Sequence, residues 1–455
     1  MKSTLQSLLP WIKGAMLSGD ATFDGVSSDS RSVTEGNLFV ALRGERFDAH
    51  DFLHDVASRK VAGMVIERQP ADLDMPVLVV PDTRVALGEI AHGWRQQFVL
   101  PLIGVTGSNG KTTVKEMIAA ILQAAFGTER TLATRGNFNN DIGVPLTLLR
   151  LTAEHQAAVI ELGMNHPGEI ALLSAIANPS VGLVNNAQRE HQEFMASVEA
   201  VAMENGSVLQ SLPEDGVAVF PADDTYSDLW RGYAKHCKTL TFGLNPEADV
   251  HCTYVSNVFG SDLQVVANGQ KFTVALSAAG VHNVRNALAA IACTLAIGVS
   301  VEAIVRGLQA FAPVNGRLQR KTASNGALVI DDTYNANPDS VRAAIDVLAQ
   351  MESPRVLVLG DMGEVGNDGL QYHEEVGAYA RAQGIDRLLT LGDMTSHTSR
   401  VFGKGATHYD SIEQLNQALD AFFNNDATAL VKGSRFMKME RVVQHLLGQH
   451  IQEGH

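Results

Sequence analysis

The stretch Leu102-Ile103-Gly104-Val105-Thr106-Gly107-Ser108-Asn109-Gly110-Lys111-Thr112-Thr113 decides the fold. An apolar run leads into a Gly-rich turn and then into residues that begin a helix, the order of a strand, a phosphate-cradling loop and a helix N-terminus. Glycine lets backbone N–H groups wrap a polyphosphate, and the helix N-terminus adds its dipole. Lys111 neutralises terminal phosphates and the Thr112 hydroxyl can ligate Mg²⁺. Gly107, Ser108, Asn109, Gly110, Lys111, Thr112 and Thr113 are therefore the expected ATP-binding set. Strict Walker spacing asks for glycine at 105, where the chain has Val105.

Downstream, two more apolar runs end in polar residues, Ala157–Ile160 before Glu161 and Val181–Val184 before Asn185. Successive strands with polar C-terminal ends predict a mostly parallel sheet with its site along that edge. A β-rich stretch follows from Asp249 to Leu276, then a buried helix from about His282 to Ile297 closed by Gly298. Pro313-Val314-Asn315-Gly316 reads as a hinge. Beyond it, strands at Ala327–Ile330, Arg355–Leu359, Arg387–Leu391 and Ala429–Val431 alternate with helices at Pro338–Met351, Leu370–Gln383, Ser411–Phe423 and Arg435–Leu447. This βαβ order predicts a Rossmann-like domain. Upstream, strands at Leu38–Leu42, Gly63–Ile66 and Val77–Val80 and helices at His50–Arg59 and Thr83–Phe98 form a small α/β unit. The expectation is an α/β chain of three domains: residues 1–98, a central P-loop domain over 99–313, and a C-terminal domain over 314–455.

Composition is that of an ordinary globular protein, 45% hydrophobic and 19% charged over 455 residues, a length that two to four domains would share. A formal charge of −15 excludes a nucleic-acid binder that works by a broad basic face, so an anionic ligand must be met locally. Cys237, Cys252 and Cys293 lack metal-type spacing and suit a reducing compartment. The stretch from Met1 is interrupted by Pro10, Lys13 and Gly14 and lacks a signal-peptide core, and the apolar run Ala287–Val299 is too short to span a bilayer. A cytoplasmic monomer acting on small molecules is expected.

The loop with Val105 resembles that of the Mur ligases and their folylpolyglutamate synthase relatives, which carry a shortened Gly-x-x-Gly-Lys-Thr version. Further segments that fit the family run from residue 27 to residue 440. The resemblance implies an ATP-dependent, amide-bond-forming ligase. Glu161, at a strand end where a carboxylate needs a cationic partner, takes the family's place at a second Mg²⁺, and His191 that of the metal-proximal histidine. Val281-His282-Asn283-Val284-Arg285-Asn286-Ala287 looks like the family's His-Asn-x-x-Asn-Ala motif; Asn283 and Asn286 lie one helical turn apart, with Asn286 expected at the adenine. Gly316-Arg317 supplies the arginine on the ATP phosphates, and Asp332, in Asp331-Asp332-Thr333-Tyr334-Asn335-Ala336-Asn337-Pro338, approaches the ribose and phosphates.

At the front, Val26–Arg31 and Asn37–His50 resemble a uridine-nucleotide domain, which places Ser30, Gly44 and Arg46 on UDP; Asn137, Asn139 and Asn140 would hold the muramoyl portion. The segments Leu359–Glu364 and Val431–Arg435 resemble the family member that joins D-alanyl-D-alanine to a UDP-N-acetylmuramoyl tripeptide, so Asn335, Asn337, Lys432 and Ser434 are expected at the dipeptide. The Asp-Asn-Pro-Arg string of the member that adds a diamino acid is absent, and residues 1–98 have no counterpart in a folylpolyglutamate ligase. One departure stands out. The family's carbamylated lysine has no equivalent, because no lysine occurs between Lys115 and Lys235 and its place is taken by Asn205. Glu204, Glu193 or Asn205 itself is expected to fill that role; a nucleotide-binding protein without catalysis is the alternative that the departure raises.

Overall fold

The structure is a computed structural model that describes residues 1–44, 47–190, 193–257 and 259–449. Arg46 and His191, both singled out above, lie outside the described residues. Among the described residues the strands form a two-stranded ribbon and sheets of five, nine and six strands.

The nine-stranded sheet is built on the strand Leu102–Thr106, every residue of which is buried. It runs parallel between Ala157–Glu161 and Val181–Val184, with Val105 level with both Glu161 and Leu183. This pairing on both flanks explains Val105. The strand extends past the position where a Walker glycine would start the turn, so the turn begins at Gly107. Parallel strands Val217–Pro221, Lys238–Gly243 and Val250–Asn257 continue the sheet, and Gly260–Ala267 and Gln270–Leu276 close it as antiparallel strands. The β-rich stretch read in the sequence is thus the edge of the P-loop sheet. The P-loop helix Lys111–Phe126 covers one face with the buried helix Val281–Ala296.

The five-stranded sheet, ordered 16–18, 77–79, 63–66, 38–40, 26–27, carries the N-terminal unit. The apolar residues of one face, Leu38, Val40, Val65 and Leu78, share a core with Ala158 and Ile160, while Phe39, Met64, Ile66 and Val77 on the other face form a core of their own; the indole of Trp94 donates to the Leu151 carbonyl at 3.1 Å. The six-stranded sheet is ordered 319–322, 328–332, 428–432, 355–360, 387–391, 406–409, parallel except for its first strand.

Several element bounds differ from the sequence reading. Thr83–Arg95 ends three residues early, and His50–Arg59 is a 3-10 turn Ala49–Phe52 followed by a helix Leu53–Ser58. The expected helix Arg435–Leu447 breaks into a turn Arg435–Met437 and a helix Glu440–Leu446, with Lys438 left-handed at φ 50°. The break lets Met439, fully buried, pack against Gly360 and Gly433 at the sheet edge. Tertiary burial overrides local helix propensity there.

Candidate active site

The three central strands end in Thr106, Glu161 and Val184, so their next residues converge on one edge. Gly107 leaves the strand at φ 132° and Gly110 precedes the helix at φ 82°. A Cβ on Gly107 would fall 2.9 Å from the Cβ of Asn185 and 3.0 Å from its nitrogen; one on Gly110 would fall 2.5 Å from Oδ1 of Asn286. Glycine is required at both for its conformation and for its size.

Neutral amides fix the loop from behind. Oδ1 of Asn205 accepts from the Thr106 hydroxyl at 2.6 Å and from the Gly107 N–H at 3.0 Å. Asn185 donates to the Asn109 carbonyl at 2.8 Å and to Oδ1 of Asn286 at 2.9 Å, and Asn286 donates to Asn283 at 3.1 Å. Lys111 opens the helix and turns back over its own loop, donating to the carbonyls of Gly107 at 2.6 Å and Ser108 at 3.1 Å and to Glu190 at 2.7 Å. The ammonium therefore stands where loop carbonyls and a carboxylate hold it, above the helix N-terminus where a polyphosphate would sit.

Glu161 is buried. Its Oε1 accepts from the Thr112 hydroxyl at 3.2 Å and from Asn139 at 2.9 Å, while Oε2 has no hydrogen-bond partner among the described residues. A buried carboxylate oxygen left without a donor is costly unless a cation completes it. Among the described residues no three His, Cys, Asp or Glu side chains gather into a preformed metal cluster. One carboxylate, a threonine hydroxyl and bound phosphates are the donor set that Mg²⁺ accepts, since it keeps waters and shares substrate oxygens. Glu204 does not face this position: its two oxygens accept from the N–H groups of Gly168 and Ile170 and so cap the helix Glu169–Ala177. Glu193 is exposed.

The C-terminal domain forms the facing wall. Arg317 donates to the Thr112 hydroxyl at 3.0 Å and stacks over Tyr334 at 4.2 Å. Asp332 is paired with Lys432 at 2.6 Å, both side chains nearly sealed from water, and its other oxygen accepts from the Leu318 N–H. Burial pushes the Asp332 carboxyl up, and Lys432 opposes that shift. Asn337 caps the helix Pro338–Ala349 and reaches Oδ1 of Asn109 at 2.9 Å. His282 faces Lys432 from the central domain; burial first, and that ammonium second, depress its imidazole to about 4.

A cavity of about 1080 Å³ lies between the walls. Ser108, Asn109, Gly110, Lys111, Thr113, Glu161, Asn283, Asn286, Arg317, Asp332, Asn335, Asn337 and Lys432 line it, as do Asn137, Asn139 and Asn140. Ser434 stands behind its rim, donating to the Ala336 carbonyl at 3.2 Å and accepting from the Gly363 N–H. Ser30 and Gly44 are farther off, in loops after the parallel strands Val26–Ser27 and Leu38–Val40. Arg84 joins their unit to the loop that carries Asn137, Asn139 and Asn140 through Asp141, at 2.7 Å for one of its two contacts. The sequence reading missed Asn186, Gln188, Arg189 and Glu190, whose polar run directly after a parallel strand was the available signal. It also missed the Asp223–Arg285 pair at 2.6 Å on the cavity edge.

Two family models match the chain, the Mur ligase middle domain over residues 105–294 and the Mur ligase glutamate ligase domain over residues 316–435. A relative in Escherichia coli (strain K12), a UDP-N-acetylmuramoyl-tripeptide--D-alanyl-D-alanine ligase, is 42% identical over 97% of this chain and 98% of its own. The chain belongs to the Mur ligase family. Among solved Mur ligases, the structure of MurF from Acinetobacter baumannii superposes with a TM-score of 0.93 at 35% identity, over 99% of both chains. That of MurF from Thermotoga maritima in complex with ADP gives 0.83 at 27% identity, over 93% of this chain and 97% of that one. The three-domain α/β architecture is that of these ligases.

Proposed function

We propose that this Mur ligase joins D-alanyl-D-alanine to a UDP-N-acetylmuramoyl tripeptide at the expense of ATP, giving the pentapeptide precursor of peptidoglycan with ADP and phosphate. The likeness to ligases of that activity over nearly the full chain supports it. So does the way Arg317, from the facing wall, reaches Thr112 at 3.0 Å beside Lys111, which brings groups of two domains to one end of the cavity.

The terminal carboxylate of the tripeptide attacks the γ-phosphorus of ATP; an O–P bond forms and the bridging bond to the β-phosphate breaks, leaving ADP and an acyl phosphate. The chain's part is positioning and charge neutralisation. Lys111 exchanges Glu190 and its loop carbonyls for phosphate oxygens, and Arg317 brings a second cation from the facing wall. Mg²⁺, held by Thr112, Glu161 and His191, would supply further charge neutralisation at the phosphates. The amine of D-alanyl-D-alanine then attacks the acyl carbon, loses a proton and expels phosphate. Asn283, Asn286 and Asp332 are assigned to the nucleoside, Ser30, Gly44 and Arg46 to UDP, Asn137, Asn139 and Asn140 to the muramoyl part, and Asn335, Asn337, Lys432 and Ser434 to the dipeptide. The assigned domains remain 1–98, 99–313 and 314–455. No helix of the described residues is long and apolar enough to cross a membrane, and we place the enzyme in the cytosol as a monomer.

Phosphate release from ATP, measured while each component is omitted in turn, tests this reading. Release that needs both the tripeptide nucleotide and the dipeptide is expected. Release with a single D-alanine or a diamino acid in place of the dipeptide would move the chain within the family, and none with any pairing would overturn the assignment.

A further inference from the structure

The segment Asn186–Glu190 leaves the strand Val181–Val184 and runs between the P-loop and the C-terminal domain. Its contacts alternate. Oδ1 of Asn186 accepts from the Asn109 N–H at 2.9 Å, Gln188 accepts from the Asn109 side chain at 2.6 Å, and Glu190 holds Lys111 at 2.7 Å. Arg189, between the last two, points the other way. Its backbone N–H and guanidinium both reach Asp339, at 3.0 and 2.5 Å, and the guanidinium also forks onto Glu375 at 2.7 and 3.1 Å. Tyr372 lies under it at 5.1 Å. Asp339 sits in the first turn of the helix Pro338–Ala349, where its charge is favoured, and Arg342 braces Glu375 from within the C-terminal domain at 2.9 Å. Paired to two carboxylates, Arg189 is held well above its ordinary pKa, and its hydrogen bond keeps the Glu375 carboxyl below the usual range.

Gln188, Arg189 and Glu190 thus send successive side chains to opposite sides. Here even-numbered residues set the nucleotide loop and the odd one grips the domain that must close over it. We propose that Arg189 is a positioning residue for the ligase reaction: by clasping Asp339 and Glu375 it locks the C-terminal domain shut and, through the same segment, fixes Asn109 and Lys111 for phosphoryl transfer. The inference rests on the ligase reading for its rate measurement and on geometry alone for its measurement of closure.

An exposed surface pair would contribute little. This one is a two-carboxylate fork with side chains only 20%, 25% and 32% exposed, so its loss should lower the closed population about tenfold. The test compares wild type with Arg189→Ala and Arg189→Lys, reading kcat and KM for ATP in the complete reaction, and the radius of gyration by solution scattering with a non-hydrolysable ATP analogue. In Arg189→Ala, kcat is expected to fall about tenfold with a smaller change in KM for ATP, an unchanged thermal unfolding midpoint and a larger radius of gyration. Arg189→Lys, which keeps the charge and loses the fork, should regain part of both. An Arg189→Ala enzyme that turns over within twofold of wild type and closes equally would overturn the proposal, as would equal loss in the two variants. If wild type itself fails to ligate the dipeptide, the functional reading falls, and scattering still decides the clasp. Should Arg189→Ala fail to fold, Arg189→Lys carries both measurements, and wild-type kcat and closure there would overturn the clasp.

Discussion

The wall of the cavity that carries the P-loop is held by backbone conformation and neutral amides, whereas the wall facing it is held by charge. On the first, Gly107 and Gly110 adopt left-handed φ, and Asn205, Asn185, Asn286 and Asn283 pass hydrogen bonds behind the loop. On the second, Asp332 pairs with Lys432 with little exposure to water, and Arg317 stacks over the half-buried Tyr334. Neutral amides confer rigidity without a large desolvation cost, which suits a cradle that must keep its shape between turnovers. Ion pairs hold strongly when closed and can be exchanged for phosphate or carboxylate groups, which suits a wall that arrives with the substrates.

The largest effect should come from breaking the rigid wall. In Gly110→Ala the new methyl must occupy a left-handed residue 2.5 Å from Oδ1 of Asn286 and 2.8 Å from Nδ2 of Asn185. Strain of about 1–3 kcal/mol adds to the displacement of both amides, and donors lost from a phosphate cradle cost about 10²–10³ in rate. Steady-state ligation should fall by about that factor, while a tryptophan-fluorescence melt drops by only about 2–4 °C for each kcal/mol of strain. Activity within tenfold of wild type would show that the loop is more pliable than its amide backing implies.

An intermediate effect should come from the charged wall. Asp332→Asn removes the counter-charge of Lys432 in a nearly sealed position and leaves one amide oxygen for two donors, the ammonium and the Leu318 N–H, with the Asn335 carbonyl still accepting from Lys432 at 2.9 Å. Removing one member of a buried pair costs about 3–5 kcal/mol, whereas replacing both with neutral groups is often nearly neutral. The denaturation midpoint should therefore drop in Asp332→Asn and return most of the way in the double variant Asp332→Asn with Lys432→Met. Additive losses in the double variant would mean that the two residues do not act as a pair, and the contrast between the walls would weaken.

The same contrast explains what was legible in the sequence. Gly107, Gly110, Lys111 and Thr112 are adjacent in the chain, and a strand, turn and helix in that order state their purpose locally. Parallel strands leading to Glu161 and Asn185 followed from apolar runs with polar ends. The clasp was not legible, because Arg189 meets Asp339 and Glu375 across 150 and 186 positions; the polar run after the strand marks its neighbourhood but not its partners. The broken helix at Lys438 was hidden for a similar reason, since Met439 breaks the helix by packing against Gly360, a distant residue. Asn205 was visible as a departure, but its bonds to Thr106 and Gly107 depend on a helix returning beneath the P-loop strand.

The smallest effect, and the finest test of the contrast, lies at His282, which belongs to the rigid wall and faces Lys432 on the charged one. Its folded pKa of about 4 lies below the value near 6.5 of an unfolded histidine. Folded protein therefore binds fewer protons than unfolded protein between those values, so the stability that His282 contributes is complete above about pH 6.5 and is lost progressively as pH falls toward 4. NMR of the imidazole should show a neutral ring down to about pH 4 while the walls are together. Burial is the larger cause and Lys432 the lesser, and separating the walls removes the ammonium from the ring's surroundings together with whatever burial the facing wall adds. In Arg189→Ala the midpoint should move upward toward 6.5, and by more in the absence of nucleotide than in its presence. A ring that titrates near 6.5 in wild type would show that the charged wall does not rest on the rigid one, and a midpoint that stays near 4 in Arg189→Ala would assign the closure of this cavity to contacts other than the clasp.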